Sequence, residues 1–358
     1  MEPLDDRAYL QRLDSGHMLE RIQEFPVQCQ VAWENAARFP WPQAPEGLEN
    51  IVIAGMGGSA IAGDLLADLA LDSCPVPILI HRNYGLPAFV GRRSLVIASS
   101  YSGNTEETLD ATREASKRGA SIVGLTTGGA LGKLAAEVGF PCFEIRYRSS
   151  PRAALAHSFV ALLHFLQRIG LLPNQQEALM EAVRDLQAMQ NSVGVQVPTG
   201  SNLAKQLAHH CYGRLTVVYG VGFLGSVARR WKTQLNENTK AWAFYDVLPE
   251  MNHNAILGYQ QPDELAADSF VVLLDSALNR PQNRKRAAVT GEILSRAGVR
   301  HQVVEAEGQA MLAQMLTAIH LGDYVSFYLA ALYGIDPTPI EAIDLLKRRL
   351  LEAQDPAK

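Results

Sequence analysis

The sequence predicts an α/β fold made of two doubly wound parallel-sheet subdomains, each an α-β-α sandwich, related by internal duplication. Three observations predict it. Short β-type apolar runs alternate with helical periodicities, and this alternation occurs twice along the chain. Both halves open on the same strand-then-glycine pattern: Ile51-Val52-Ile53-Ala54-Gly55-Met56-Gly57-Gly58 in one, Thr216-Val217-Val218-Tyr219-Gly220-Val221-Gly222-Phe223 in the other. A chain of 358 residues is also long enough to bury two cores.

Residues 1–50 read as helical arms, with Leu10, Leu13, Met18, Ile22 and Phe25 near helix spacing and prolines 26, 40, 42 and 45 interrupting the segment. The first sandwich is expected over 51–170. Its β-type runs are Ile51–Ala54, Val76–His81, Ser94–Ser99, Ser121–Thr126 and Cys142–Ile145; helical patterns at Ile61–Leu71, Thr105–Arg118 and Ala130–Val138 separate several of them. A helical stretch, Arg152–Ile169, closes this half. Residues 171–200 form the connector, with a helix over Glu177–Met189 and a linker, Ser192–Ser201, poor in helix formers. In 201–358 the alternation restarts: strand Leu215–Tyr219, helix Leu224–Leu235, strand Phe270–Leu274, helix Arg284–Ala297, strand His301–Val304 and long helix Met311–Leu332. Near the end, Asp336-Pro337-Thr338-Pro339-Ile340-Glu341 announces a last helix, with Thr338 as N-cap, Pro339 at N1 and Glu341 completing a capping box.

Composition narrows the functional classes. A net charge of -5 gives no general attraction to nucleic acid or to a membrane surface. Cys29, Cys74, Cys142 and Cys211 are scattered without a C-x-x-C pair, which suits reduced thiols in a cytoplasmic protein. The acidic start, Met1-Glu2-Pro3-Leu4-Asp5-Asp6, lacks the regions of a signal peptide, and no run is expected to span a bilayer. No His/Glu spacing matches a metal site, so no catalytic metal is expected, and G-x-S-x-G is absent.

The chemistry-bearing stretch is Ser100-Tyr101-Ser102-Gly103-Asn104-Thr105, between a strand end and a helix start. Its hydroxyls and backbone N–H groups, with a helix dipole behind them, suit an anion such as phosphate. The plainer alternative is a turn in which Thr105 caps its helix. Gly57–Ser59 ends the neighbouring strand with Gly58 and the Ser59 hydroxyl at another helix start. Together the two loops favour one phosphoryl group on a small molecule. Gly220-x-Gly222-x-x-Gly225 matches the dinucleotide fingerprint, with Asp246 near the distance of the ribose-binding acid. A dehydrogenase is therefore a rival, although the glycines need only mark a tight turn.

Three charged or polar positions stand out. Glu237 falls at the end of a helix whose apolar face is Leu224, Val227, Trp231 and Leu235. The dipole disfavours a carboxylate there, which suits a proton acceptor, whereas a solvated surface Glu is the plainer reading. His253 lies between two amides in Pro249-Glu250-Met251-Asn252-His253-Asn254, which can orient an imidazole or simply turn the chain. Lys347 shares one face of the last helix with Ile340, Ile343 and Leu350, so it is expected to point inward, either toward a site or snorkelling along the packed face.

Taken together, these stretches resemble the sugar isomerase (SIS) fold and, within it, the bifunctional phosphoglucose/phosphomannose isomerases. The matching pieces are Gly55-Met56-Gly57-Gly58-Ser59-Ala60, Ser100–Thr105, Ser150-Pro151-Arg152-Ala153, Asn236-Glu237-Asn238-Thr239-Lys240, Pro249–Asn254, and Asp336–Pro339 through Lys347. The resemblance runs from about residue 51 to 350, and the first 50 residues contribute little to it. It implies an enzyme that interconverts glucose 6-phosphate and mannose 6-phosphate with fructose 6-phosphate through an enediolate, with no redox cofactor. It further implies that Gly58, Ser59, Ser100, Ser102 and Thr105 hold the phosphate and that Glu237 moves the proton between C2 and C1. Arg152 would stabilise the enediolate, and His253 and Lys347 would assist ring opening, the His coming from the partner subunit of a homodimer. Thr338, or Ile340 as an equal positional match, would bear on mannose acceptance. A non-catalytic sugar-phosphate sensor would use the same loops without Glu237.

Overall fold

The computed structural model describes residues 2–354; Met1 and residues 355–358, the outer ends of segments 1–50 and 201–358, lie outside the described residues. Three helices come first: α1 (Arg7–Leu13), α2 (Met18–Gln23) and α3 (Phe25–Arg38). The first sandwich then runs β1 (Asn50–Ala54), α4 (Gly57–Ala70), β2 (Ile78–His81), β3 (Ser94–Ser99), α5 (Glu106–Lys117), β4 (Ser121–Thr126), α6 (Gly129–Val138), β5 (Cys142–Glu144) and α7 (Leu155–Arg168). All five strands are parallel, in the order β2-β1-β3-β4-β5.

Next come α8 (Gln176–Val193) and α9 (Leu203–Cys211). The second sandwich follows: β6 (Leu215–Val221), α10 (Gly225–Thr239), β7 (Ala243–Leu248), α11 (Asp263–Ala267), β8 (Ser269–Asp275), α12 (Pro281–Arg296), β9 (Arg300–Glu305) and α13 (Met311–Leu332), with α14 (Glu341–Gln354) at the end. Its strands are parallel in the order β7-β6-β8-β9. That is the order of the first sheet without its fifth strand, so the repeated sequence pattern reflects a repeated topology.

The period-2 alternation of the strands divides the core into layers. Ile51, Ile53, Leu95, Ile97, Val123 and Leu125 from one sheet and Val218, Phe270, Val272 and Leu274 from the other share one central cluster. Helices α3, α4, α7, α8, α9, α10 and α13 fill the space between the sheets. Val52, Val96 and Ile122 face outward beneath α5, while Val221, Val271 and Leu273 do the same beneath α12. The first helices of the two sandwiches, α4 and α10, pack on each other. The Ser226 N–H at the start of α10 donates to Asp68 near the end of α4 at 2.9 Å, so the pair is antiparallel.

Two sequence expectations need correction. Arg152 is not on a long helix: a 3-10 turn, Pro151–Ala153, is set off from α7 by Ala154, whose φ of -108° and ψ of 19° break the helix. Helix α13, by length and composition, is able to cross a bilayer. Every residue from Leu312 to Ala331 is buried, so here its apolar surface lines the protein core.

Burial of α13 makes stability depend on acid. His320 stacks on Phe25 and, among the described residues, has no hydrogen-bond partner at either ring nitrogen. Burial pushes its pKa down to about 3, and that of His157 down to about 4. Each binds its proton more readily when unfolded, so stability is complete above a pH of about 6.5 and falls as pH drops toward the folded values. His320→Met, which removes the titrating ring from an apolar site, is expected to flatten the decline of Tm between about pH 6.5 and 4. A Tm–pH profile parallel to that of the wild type would refute the assignment.

Candidate active site

The carboxyl ends of β1 and β3 adjoin where strand order reverses in the first sheet, the crevice in which open α/β sheets take ligands. The Ser100 hydroxyl donates to Thr105 Oγ1 at 2.9 Å, and the Tyr101 N–H donates to Ser59 Oγ at 3.0 Å. The Ser99 hydroxyl donates to the Ser59 carbonyl at 3.3 Å, and the Asn104 N–H to Ser102 Oγ at 3.2 Å. Ser59 and Ser100 are buried, Thr105 is half-buried and Ser102 is exposed. Thr105 occupies the N-cap of α5, yet its side chain makes no capping bond and accepts from Ser100 instead. The reading of this loop as a simple helix cap is thereby corrected. Its hydroxyls tie two loops together, and the first N–H groups of α5 are left without a side-chain acceptor from Thr105.

Gly58 connects this crevice to the second sandwich. A Cβ there would lie 3.1 Å from the Pro151 carbonyl and 3.3 Å from the Arg152 nitrogen. A side chain at Gly58 would push the Pro151–Arg152 backbone back by a few tenths of an ångström, so the glycine lets the Pro151–Ala153 turn rest closely on the start of α4. The turn delivers Arg152, a buried guanidinium with every branch occupied. Nε donates to Asn238 Oδ1 at 2.8 Å, Nη2 donates to the carbonyls of Pro337 (2.8 Å) and Thr338 (3.0 Å), and Nη1 faces Glu237 Oε2 at 3.5 Å. Burial pushes the Arg152 pKa below its usual range, against the favourable charge of Glu237.

Glu237 and Asn238 sit in the last turn of α10, which runs on past the predicted Leu235. Asn238 Nδ2 donates to Ser326 Oγ at 2.9 Å, anchoring the turn to α13. Lys240 ends α10 in the left-handed region at φ 58°; its Nζ donates to the Glu237 carbonyl at 2.6 Å and the Pro337 carbonyl at 3.0 Å. Burial, and after it the Arg152 charge, lowers the Lys240 pKa. The Glu237 side chain remains 26% exposed, so the carboxylate can reach a bound molecule while its neighbours hold it in place. Behind Arg152, the buried Arg230 donates through Nη2 to the Arg152 carbonyl at 2.7 Å and to both Asp323 oxygens at 3.1 and 3.2 Å.

The structure therefore brings together Gly58, Ser59, Ser100, Thr105, Arg152 and Glu237, with Ser102 exposed on the same loop as Ser100 and accepting from the Asn104 N–H. It does not bring the other two candidates to them. His253 is exposed at the end of the 3-10 turn Glu250–His253, beyond edge strand β7. Lys347 does not point inward, because every residue from Glu341 to Leu350 is exposed. Periodicity shows which side chains share a helix face and not what lies opposite that face. The capping box is also displaced: the Ile340 carbonyl accepts the first bond of α14, from the Asp344 N–H at 3.1 Å, and Thr338 Oγ1 has no partner among the described residues.

Sequence reasoning gave no role to Asn238, Lys240, Arg230 or Asp323. A signal existed for Asp323, a lone acid inside the apolar run Met311–Leu332. The glycine at the second position of the rival nucleotide fingerprint has a packing explanation: a Cβ on Gly222 would lie 3.3 Å from Asn279 Cγ and nearer still to its Oδ1.

Comparison with known proteins bears on this arrangement. Residues 200–350 match a family model described as the bacterial phospho-glucose isomerase C-terminal SIS domain. A bifunctional phosphoglucose/phosphomannose isomerase of Caldicellulosiruptor bescii is 39% identical over 94% of this chain and 100% of its own length. Another protein of that name, from Aquifex aeolicus, is 34% identical over 90% of this chain and 95% of its own length. A hypothetical protein from Thermus thermophilus has a solved structure that superposes with a TM-score of 0.73 at 17% identity, covering 99% of this chain and 94% of that one. This last likeness is one of fold.

Proposed function

The chain belongs to the bifunctional phosphoglucose/phosphomannose isomerase family, and from that premise we propose that it interconverts glucose 6-phosphate and mannose 6-phosphate with fructose 6-phosphate through an enediolate. The observation that carries the reading is the Glu237 carboxylate, 3.5 Å from the buried Arg152 guanidinium, on a turn that Gly58 ties to the hydroxyl loops. In this reading Gly58, Ser59, Ser100, Ser102 and Thr105 take the phosphate. Glu237 removes the proton from C2 and returns it to C1, and Arg152 faces the oxygen on which negative charge develops. The aldose and ketose differ by the position of two hydrogens, so the reaction is redox-neutral overall. A sensor that only bound the sugar phosphate would have no use for a partly exposed carboxylate beside a fixed cation.

His253 and Lys347 assist ring opening in this scheme. The exposure of His253 supports its delivery to the site of a second copy in a homodimer, as do the uncovered apolar residues Ile343, Leu346 and Leu350 of α14. A cytoplasmic location accords with the four free cysteines. A coupled assay on purified protein tests the activity: glucose 6-phosphate and mannose 6-phosphate are each expected to yield fructose 6-phosphate. Absence of product from both sugars would overturn the proposal.

A further inference from the structure

We infer that Gly16, in the amino-terminal arm, is a positioning residue for Arg152, acting through the Pro337–Thr338 segment. The inference rests on the isomerase reading above and adds to it a part of the chain that the family model does not cover.

The turn between α1 and α2 is fixed from its own side. The buried Asp14 carboxylate accepts the Met18 and Leu19 N–H groups at 2.8 Å each, and His17 is held in the left-handed region at φ 57°. Ser15 Oγ donates to Asp336 Oδ2, and the Thr338 N–H donates to Asp336 Oδ1 at 2.9 Å. The turn and the 336–338 segment are thus held in register through one carboxylate. Gly16 lies directly against the Thr338 side chain. A Cβ on Gly16 would sit 2.6 Å from Thr338 Cβ and closer still to its Oγ1 and Cγ2. Thr338 cannot absorb this by rotating its side chain, because its own Cβ is among the atoms in the way. Either the turn or the Thr338 backbone has to move, and the Asp14 and His17 contacts hold the turn from its own side.

That backbone supports the site. The carbonyls of Pro337 and Thr338 are the two acceptors of Arg152 Nη2, and the Pro337 carbonyl also takes Lys240 Nζ. Arg152 is the cation beside Glu237. A shift at Thr338 therefore reaches the guanidinium through one hydrogen-bonded link, while the Ser59, Ser100 and Thr105 hydroxyls, which bond within their own loops, are not in the path. A displacement of about 1 Å at a reacting centre costs on the order of 100-fold in rate.

A double-variant cycle tests the inference with both sugar phosphates as substrates. Gly16→Ala is expected to lower kcat by about tenfold or more with KM within about twofold. Against a Thr338→Gly background, which removes all three obstructing atoms, the same substitution is expected to change kcat by less than about twofold. Thermal melts of all four proteins accompany the kinetics. A folded Gly16→Ala protein with wild-type kcat would overturn the inference. So would equal losses in both backgrounds, or a fall in Tm that tracks kcat and is not relieved by T338G. A wild-type protein that isomerises neither sugar would overturn the activity itself, and the positioning role with it.

Discussion

Glu237→Gln is expected to lower kcat for isomerisation by about 1000-fold or more while fructose 6-phosphate still binds with an affinity within about threefold of wild type. The substitution keeps the shape of the side chain and removes its ability to take a proton. The Arg152 contact at 3.5 Å becomes an uncharged one, but the Arg152 bonds to Asn238, Pro337 and Thr338 do not involve Glu237 and remain. The hydroxyl loops proposed to take the phosphate lie on the other sandwich, so binding and proton transfer should separate cleanly. Turnover assays and calorimetric titration of the variant decide the matter. A kcat within tenfold of wild type would remove Glu237 from the role of base, and loss of binding together with turnover would make it a binding group.

The largest effect on stability is expected from Arg230→Met. Arg230 and Asp323 are both buried, and Gln234 Nε2 gives the carboxylate a further bond at 2.8 Å. Burial raises the Asp323 pKa while the Arg230 charge opposes that rise. Removing the cation leaves a carboxylate in the core without its charge partner, at a cost of about 3–5 kcal/mol. Tm should fall on the order of 10 °C. Replacing both partners, as in R230M/D323L, should recover most of the loss, because two apolar side chains leave no unpaired charge. Arg230 also holds the Arg152 carbonyl, so the double variant should regain stability without regaining full kcat. Melts that show R230M as stable as wild type would contradict the pairing argument.

The parts legible in the sequence are those written locally. Strand-helix alternation placed most of the nine strands among the described residues, and the hydroxyl loop revealed itself by being a donor-rich turn between an apolar run and a helix start. Strand β7 did not stand out. It lies at a sheet edge with Phe244 exposed and only one neighbour, so its pattern is weaker than that of a buried strand. Helix α9 was hidden by Lys205, a fully buried cation bonded to Asp5 at 2.9 Å where periodicity expects an apolar residue. The surroundings of Arg152 depend on Asn238, Pro337 and Thr338, which are 86, 185 and 186 residues away along the chain. No local pattern encodes such meetings. For the same reason, residues 1–50 contributed little to the resemblance although Gly16 touches Thr338.

The antiparallel crossing of α4 and α10 has a further consequence. It sets the end of one sandwich's leading helix over the beginning of the other's, so the start of α4, where Gly58 meets the Pro151–Ala153 turn, lies toward the end of α10, where Arg152 of that turn meets Asn238 and Glu237. On the proposed reading, changes around Ser100 would alter which anion is gripped, and changes around Glu237 what is done to it. The corresponding turn of the second sandwich, at Gly222, is covered by the Asn279 side chain. Two sheets of one topology thus carry different side chains at the same place.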